Sequence, residues 1–438
     1  MPAAVYRMMT LLCTVTARVP VGTNLGLVQV LWMLVSGRLL ESRGAVVPGL
    51  AACGLGRRAV GRAWAALGQG AWTTAALLQA WRAQVQAEGR WQAHVHEGYT
   101  PVAVDVTAFG RPRLQGCVTT HYHAPAGKAV PAIPLGLVVR VGSVGEQRLG
   151  LPLAVVRAAP DDPGTAAHTR ALVQAAVAAC GPQEVLVLDA GFSLALLQEE
   201  GATRFVVRLA KNSVFQRREP APYGGRGRRP TRGARVQPLA RTSKGQVHAA
   251  TPPDACATWT QDGRMLRAEE WTDMVTPTHA AGASPLRVLA LHDPRYRPPL
   301  LLATTMPATV SARALCALYR DRWPIEQLPL AAKQMIGASR MFVHAPQTCQ
   351  RLPELALLAG AILSYAAATS TPVPTGWWDR CPQPTAGRFR RALAHAPFPS
   401  TFPFAPRFCV KKSRTTHLRT GFWFQRASVT ASDVPCAA

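Results

Sequence analysis

Four side chains able to act on a phosphate ester stand at offsets 0, 3, 7 and 14 in one short stretch: Tyr319, Arg322, Glu326 and Lys333. An α-helix turns about 100° per residue, so those offsets fall at roughly 0°, 300°, 340° and 320°. One face then carries a phenol, a guanidinium, a carboxylate and an ammonium. A carboxylate flanked by two cations suits a site that holds a metal ion against a phosphodiester. A solvated, charged helix face has the same pattern, so the stretch needs partners elsewhere in the chain.

Two aspartates are the candidates. Asp105 is embedded in residues 102–107, an apolar strand pattern apart from Asp105 and Thr107. Asp189 ends the apolar run 184–189, just before Ala190-Gly191-Phe192 turns the chain. Residues 115–123 and 130–141 read as the next two strands after the first. Residues 165–180 are rich in Ala and Val at helical spacing, 193–200 read as a short helix and 205–209 as another strand. The order is three strands, helix, strand, helix, strand, and its alternating second half implies parallel pairing with helical crossovers. The first and fourth strands can then lie side by side, bringing Asp105 and Asp189 together. A helix bearing Glu326, packed on the same sheet, supplies a third carboxylate. Three carboxylates in one place repel unless cations bind them, and hard oxygen ligands favour Mg²⁺ or Mn²⁺. Two such ions about 3.5–4 Å apart can activate a hydroxyl and stabilise the leaving oxygen in an in-line displacement at phosphorus.

The elements around this constellation fall into five blocks. Residues 1–95 read as a helical domain. Within it, residues 42–54, a Gly turn and residues 55–67 have a helix-turn-helix pattern, with Arg57, Arg58 and Arg62 facing DNA and Val60, Trp64 and Leu67 facing the core. A small helical bundle with a basic surface fits the same residues. Residues 96–211 and 306–370 form the two parts of the catalytic α/β core. Residues 212–305 interrupt it as a β-rich insertion, with strand-like runs at 286–291 and 300–304. The insertion also carries a basic loop containing Arg226, Arg228, Arg229, Arg232 and Arg235, which can track a phosphate backbone. Residues 371–438 have no sustained period, and they read as an irregular tail that either contacts DNA or arises from an accident in the coding sequence.

The formal net charge is +26. It is spread along the chain, which argues for a polyanionic partner, most simply nucleic acid. The apolar stretch 25–35 is too short to span a bilayer, so no membrane partner is expected, and no signal peptide is read. The ten cysteines are scattered singly, with no C-x-x-C. That fits a reducing cytoplasm and argues against a zinc finger. The pairs His94/His96 and His121/His123 have H-x-H spacing. On a strand both His121 and His123 face one side, which allows zinc, but no third ligand is evident, and polar strand residues near DNA fit the same spacing. Arg111 and Arg113, just after the first strand, are placed near the scissile phosphate.

Taken together, Asp105-Val-Thr107, Asp189-Ala-Gly191-Phe192 and Tyr319-x₂-Arg322-x₃-Glu326-x₆-Lys333 resemble the DDE transposases of bacterial insertion sequences. The likeness is to the group with the Tyr-Arg-Glu-Lys signature and a β-rich insertion before the last carboxylate. Asp189 lies 84 residues after Asp105, and Glu326 lies 137 residues after Asp189, the longer gap being what an inserted domain requires.

The resemblance implies an RNase H-like mixed sheet flanked by helices. It also implies that Asp105, Asp189 and Glu326 are both catalytic residues and ligands of two Mg²⁺ (or Mn²⁺) ions. Tyr319, Arg322 and Lys333 would contact the phosphates of the transposon end, with Trp323 a candidate for stacking on a flipped base or, equally, a buried core residue. The family cuts double-stranded DNA at element ends and joins the 3′-hydroxyl to target DNA. By resemblance a homodimer on paired ends is implied, in the bacterial cytoplasm at the nucleoid.

Two prolines depart from the signature. Pro324 can open a helix, leaving Tyr319 and Arg322 on the preceding turn. Pro329 cannot donate to the Ile325 carbonyl, so a kink is expected that turns Lys333 off the shared face. With the tail, Pro329 motivates an alternative, a catalytically decayed DNA-binding protein. An RNase H-like nuclease without strand transfer is a further alternative.

Overall fold

The computed structural model describes residues 1–20, 25–111, 113–114, 117, 119–123, 126–158, 165–220, 222–223, 225, 231–243, 245–276, 284–372, 374–405 and 408. Arg226, Arg228 and Arg229 of the basic loop and the tail beyond 408 lie outside them.

The chain opens with helices α1 Ala3–Ala17, α2 Gly26–Val35, α3 Arg38–Glu41, α4 Val46–Ala52, α5 Arg57–Gln69 and α6 Thr74–Glu88. Strands β1 Gln92–Ala93, β2 Thr100–Gly110, β3 Thr120–His123, β4 Lys128–Val144 and β5 Gln147–Arg157 follow, then α7 Thr165–Ala179, β6 Glu184–Leu188, α8 Leu194–Glu199 and β7 Phe205–Arg208. Next come β8 Phe215–Arg217, β9 Arg235–Val236, β10 Arg241–Ser243, β11 Gln246–His248, β12 Ala255–Gln261, β13 Arg264–Val275, β14 Leu286–His292 and β15 Leu300–Thr304. Helices α9 Ala312–Arg320 and α10 Pro324–Leu330, a π-helical turn Ala331–Met335, α11 Pro346–Thr369 and α12 Ala386–Leu393 complete the described elements.

This is a mixed α/β fold built on one large mixed sheet, with helices packed on it and a helical N-terminal region. The order β5-β4-β2-β6-β7 runs through its heart. β4 is antiparallel to both β2 and β5, whereas β2, β6 and β7 are parallel. That arrangement is consistent with an RNase H-like core. The strand sequence differs from the expected one in detail. The third long strand is β5, and the described residues of 115–123 contribute the short β3, which pairs with the start of β4.

β2 is buried on both faces from Pro101 to Val104, which explains its near-continuous apolar run. Its alternation still sorts side chains between two cores. Val102 and Val104 join α7 and β6 on one face, while Ala103 and Phe109 join the helical layer on the other. Asp105 and Thr107 share the parity of Ala103 and Phe109, so they point to the helical layer.

That layer is one continuous apolar core made by α1, α2, α4, α5, α6, α10, α11 and α12 with the sheet face. All ten residues of α2 are buried. Among the described residues α11 alone is long and apolar enough to cross a bilayer, with mean hydropathy 1.4. However, 89% of that window is buried inside the protein, so it is a core helix. Gly150 on β5 lets α10 approach the sheet: a Cβ there would lie 2.6 Å from Val139 Cγ1 and 3.4 Å from the Pro324 carbonyl oxygen.

Three further features were not read from the sequence. Most strands of residues 215–292 extend the same sheet, because β15 pairs with β7 and β14, and β13 pairs with β14 and β8, while β10 and β11 form a separate two-stranded sheet. Part of the segment read as an irregular tail packs: Phe389 and Leu393, one turn apart on α12, are buried in the helical core with Phe398, Phe402 and Phe408. On α5 the inward stripe is Ala63, Ala66 and Leu67, with Val60 packed against it, and Trp64 is 38% exposed. Trp64 sits one residue, about 100°, off that stripe.

Candidate active site

The last β2–β6 pairs are Ala103 with Val187 and Val104 with Leu188. Asp105 and Asp189 are the next residues along these two parallel neighbours, so register alone brings the carboxylates side by side. Glu326 comes from the first turn of α10, whose N1 position is Pro324. Pro324 has no N–H to donate, and the α9–α10 junction is drawn tight by i→i+3 bonds instead: Arg322 to Tyr319, Ile325 to Arg322 and Glu326 to Trp323. Tyr319 therefore ends one helix, Glu326 starts the next, and Arg322 lies in the turn between them. The single helix face suggested by the spacing is in fact two short helices.

The convergence survives this break. The Arg322 guanidinium reaches all three carboxylates: Asp105 Oδ2 at 3.3 Å, Asp189 Oδ2 at 3.8 Å and Glu326 Oε1 at 2.7 Å. The carboxylate side chains are 33%, 34% and 44% exposed and that of Arg322 is 13% exposed. The anionic groups thus open to solvent while the cation behind them is largely covered. Tyr319 Oη lies 3.5 Å from Asp189 Oδ1 and can donate to it. Arg208, at the end of β7, is 3.5 Å from the same oxygen. Arg208 was not anticipated. Its signal is an apolar strand ending in Arg, placed beside the Asp189 strand by parallel pairing.

The electrostatics follow from burial and crowding. Burial pushes the Asp105 carboxyl above its ordinary value; Asp189 and Glu326 add to the rise, against the Val106 N–H and Arg322. Burial disfavours the Arg322 charge, but Asp189, Tyr319, Asp105 and Glu326 outweigh it and raise its pKa. Burial raises the Tyr319 phenol, helped by Asp189, and lowers Lys333 against the pull of Asp105.

Lys333 was expected to turn away, and it does not. α10 passes Pro329 without a break and continues as the π-helical turn, where the Ile336 N–H donates to the Ala331 carbonyl in i→i+5 register. Lys333 Nζ lies 2.9 Å from Thr107 Oγ1 and 5.3 Å from the centre of the Phe109 ring. Thr107 and Phe109 are on the face of β2 that carries Asp105, so both ends of the signature meet one strand.

Next to the carboxylates a cleft of about 630 Å³ is lined by Arg208, Lys211, Arg267, Arg295, Arg297, Arg320 and Arg322, with Trp259, Tyr296 and Trp323 among them. Trp323 is 55% exposed, not buried in the core. Arg57, Arg58 and Arg62 are exposed on α5, in the helical layer. Arg111 does not serve the site: it is 5% exposed and donates to the Val343 carbonyl.

The donor set fits hard divalent cations. Three carboxylates converge on the space that one guanidinium now neutralises, and burial, with the neighbouring carboxylates, raises the pKa of Asp105. Comparison with known families gives one match: a family model described as a transposase DDE domain aligns with residues 99–341, more than half of the chain. No curated protein matches the sequence.

Proposed function

The chain belongs to the DDE transposase family, and we propose that it cuts double-stranded DNA at the ends of a bacterial insertion sequence and joins the freed 3′-hydroxyls to target DNA. The observation that carries this reading is the contact of one guanidinium with Asp105, Asp189 and Glu326, which come from three separate elements. In this reading these three carboxylates hold two Mg²⁺ or Mn²⁺ ions, which when bound would supply Lewis-acid activation of the attacking and leaving oxygens.

The chain's own residues do the rest. Arg322, poised in the turn, moves from the carboxylates to a phosphate oxygen of the DNA end, a bidentate partner for which its fork is shaped. Tyr319 orients Asp189 and offers its hydroxyl to the same phosphodiester. Lys333, held near Thr107, places a second positive charge beside β2. The basic cleft receives the DNA end, and exposed Trp323 at its edge can stack on a base. Arg57, Arg58 and Arg62 add sequence-independent phosphate contacts on a second surface. We place the reaction in a homodimer on paired ends, in the cytoplasm at the nucleoid. The presence of both cations of the Tyr-Arg-Glu-Lys signature beside the carboxylates supports membership of that group. Because Lys333 reaches Thr107 despite Pro329, the geometry favours an active enzyme over a decayed one.

The test uses purified protein, Mg²⁺ and a duplex carrying the terminal inverted repeat that flanks the gene. Asp105→Ala, Asp189→Ala and Glu326→Ala should each abolish cleavage while leaving DNA binding measurable. Cleavage that survives one of them removes that residue from the site. Nicked product without joined product would replace the transposase reading with a nuclease.

A further inference from the structure

A second group of metal-ligand side chains lies outside the carboxylate site, one residue before Arg322. His94 and His96 stand on the segment between β1 and β2, and Asp321 caps the C-terminus of α9. His94 Nδ1 is 2.8 Å and His96 Nε2 is 2.7 Å from one oxygen, Asp321 Oδ2. One donor atom from each residue falls within a span of 4.8 Å. Asp321 is buried at 4% exposure, and the two imidazoles are 22% and 26% exposed. This is the third ligand that the H-x-H spacing lacks, more than 220 residues away in the chain.

We propose that His94, His96 and Asp321 bind one zinc ion, completed by a water molecule, which ties the β1–β2 segment to the Arg322 turn. Two imidazole nitrogens and one carboxylate oxygen are a donor set that zinc accepts with an open fourth position. Mg²⁺ prefers all-oxygen sites, so this cluster and the carboxylate site select different metals. The surroundings already hold the ligands in place. His94 Nε2 is 2.6 Å from Ser143 Oγ, which engages the outer ring nitrogen and leaves Nδ1 facing Asp321. Such outer partners are the normal support of a ligating histidine. Arg148 takes the other carboxylate oxygen, Oδ1, which leaves Oδ2 as a single donor. Zinc bonds of about 2.0–2.2 Å at tetrahedral angles separate ligand atoms by about 3.3 Å. Each contact therefore opens by about half an ångström to admit the ion.

The site has a positioning consequence. Glu97, from the same segment, accepts from Ser311 N at 2.9 Å and Ser311 Oγ at 2.5 Å, at the start of α9. The segment thus holds α9 at both ends, and a zinc ion would lock the end that delivers Tyr319 and Arg322.

The experiment uses the full-length chain without a histidine tag, loaded with Zn²⁺ or Co²⁺ and dialysed against millimolar Mg²⁺. We expect about one zinc per chain by mass spectrometry and visible Co²⁺ absorption of tetrahedral intensity. His96→Gln and Asp321→Asn should lose both signals, and Ser143→Ala should weaken zinc about 10-fold. Asp105→Asn and His121→Gln should keep zinc bound. Less than a tenth of an equivalent in the wild-type protein overturns the proposal without any variant, and so does zinc retained by folded His96→Gln. Loss of zinc in His121→Gln or Asp105→Asn would assign the ion elsewhere and overturn it as well.

Discussion

Replacing Arg322 by Ala tests the carboxylate site without touching a proposed ligand. The guanidinium lies 3.3, 3.8 and 2.7 Å from the three carboxylates. A unit pair at about 4 Å is worth up to about 4 kcal/mol at an effective dielectric near 20. The carboxylates are a third or more exposed, so screening reduces each contact to about 1 kcal/mol or less. The metal-free variant should then lose about 2–3 kcal/mol. With an unfolding entropy of about 2.1 cal/mol/K per residue, that is a fall of about 2–3 °C in Tm for a chain of this length. Metal binding should move the other way. A dication on these carboxylates comes within about 4 Å of the guanidinium, and even at water-like dielectric that repulsion is about 2 kcal/mol. Its removal makes binding about 30-fold tighter. Mn²⁺ titration followed by electron paramagnetic resonance measures this directly, and calorimetry in EDTA and in Mg²⁺ measures the stability. DNA cleavage should fall although the metal binds better. Unchanged or weaker Mn²⁺ binding by a folded Arg322→Ala protein would refute the reasoning, because the ions would then not sit where the guanidinium does.

Three other outcomes are expected. Burial raises the Asp105 pKa above 3.8, so the stability tied to its protonated form is full below about pH 3.8 and is lost as pH rises through the raised value; metal-free Asp105→Asn should therefore melt above wild type at pH 7, with the difference vanishing at low pH. Lys333→Met should weaken binding and cleavage of end DNA about fivefold while leaving Mn²⁺ affinity within about twofold, since an ammonium beside β2 is worth about 1 kcal/mol to a phosphate; a large change in Mn²⁺ affinity would show that Lys333 acts on the metals. Arg57→Ala, Arg58→Ala and Arg62→Ala combined should reduce the slope of log affinity against log salt by about 3, measured by fluorescence anisotropy, and an unchanged slope would remove α5 from the DNA-binding surface.

Much of the fold and site follows from local pattern. Alternation in β2 and the apolar run of β6, each leading to one Asp, identified the two strands whose parallel register pairs Asp105 with Asp189. The run of helices through α6 and the strands β14 and β15 were legible for the same reason: apolar period is a property of short windows. The spacing of Tyr319, Arg322, Glu326 and Lys333 was legible as a set, though not as the geometry that holds it.

What the sequence by itself determined is the inventory: which strands carry or precede a carboxylate, which stretch bears the cations, and a charge that calls for a polyanion. What only the tertiary structure decided is how distant segments meet. β15 pairs with both β7 and β14, so β14, β13, β12, β8 and β9 extend the core sheet, while β10 and β11 pair apart from it. Phe389, Phe398 and Phe402 find the helical core through a segment with no period of its own. Lys333 still meets Thr107 of β2, because helical structure continues past Pro329. Asp321 completes the His94–His96 pair, and Arg322 meets Asp105 and Asp189, across separations of more than a hundred residues. Such contacts depend on the packing of whole elements, and no short window of sequence contains both partners.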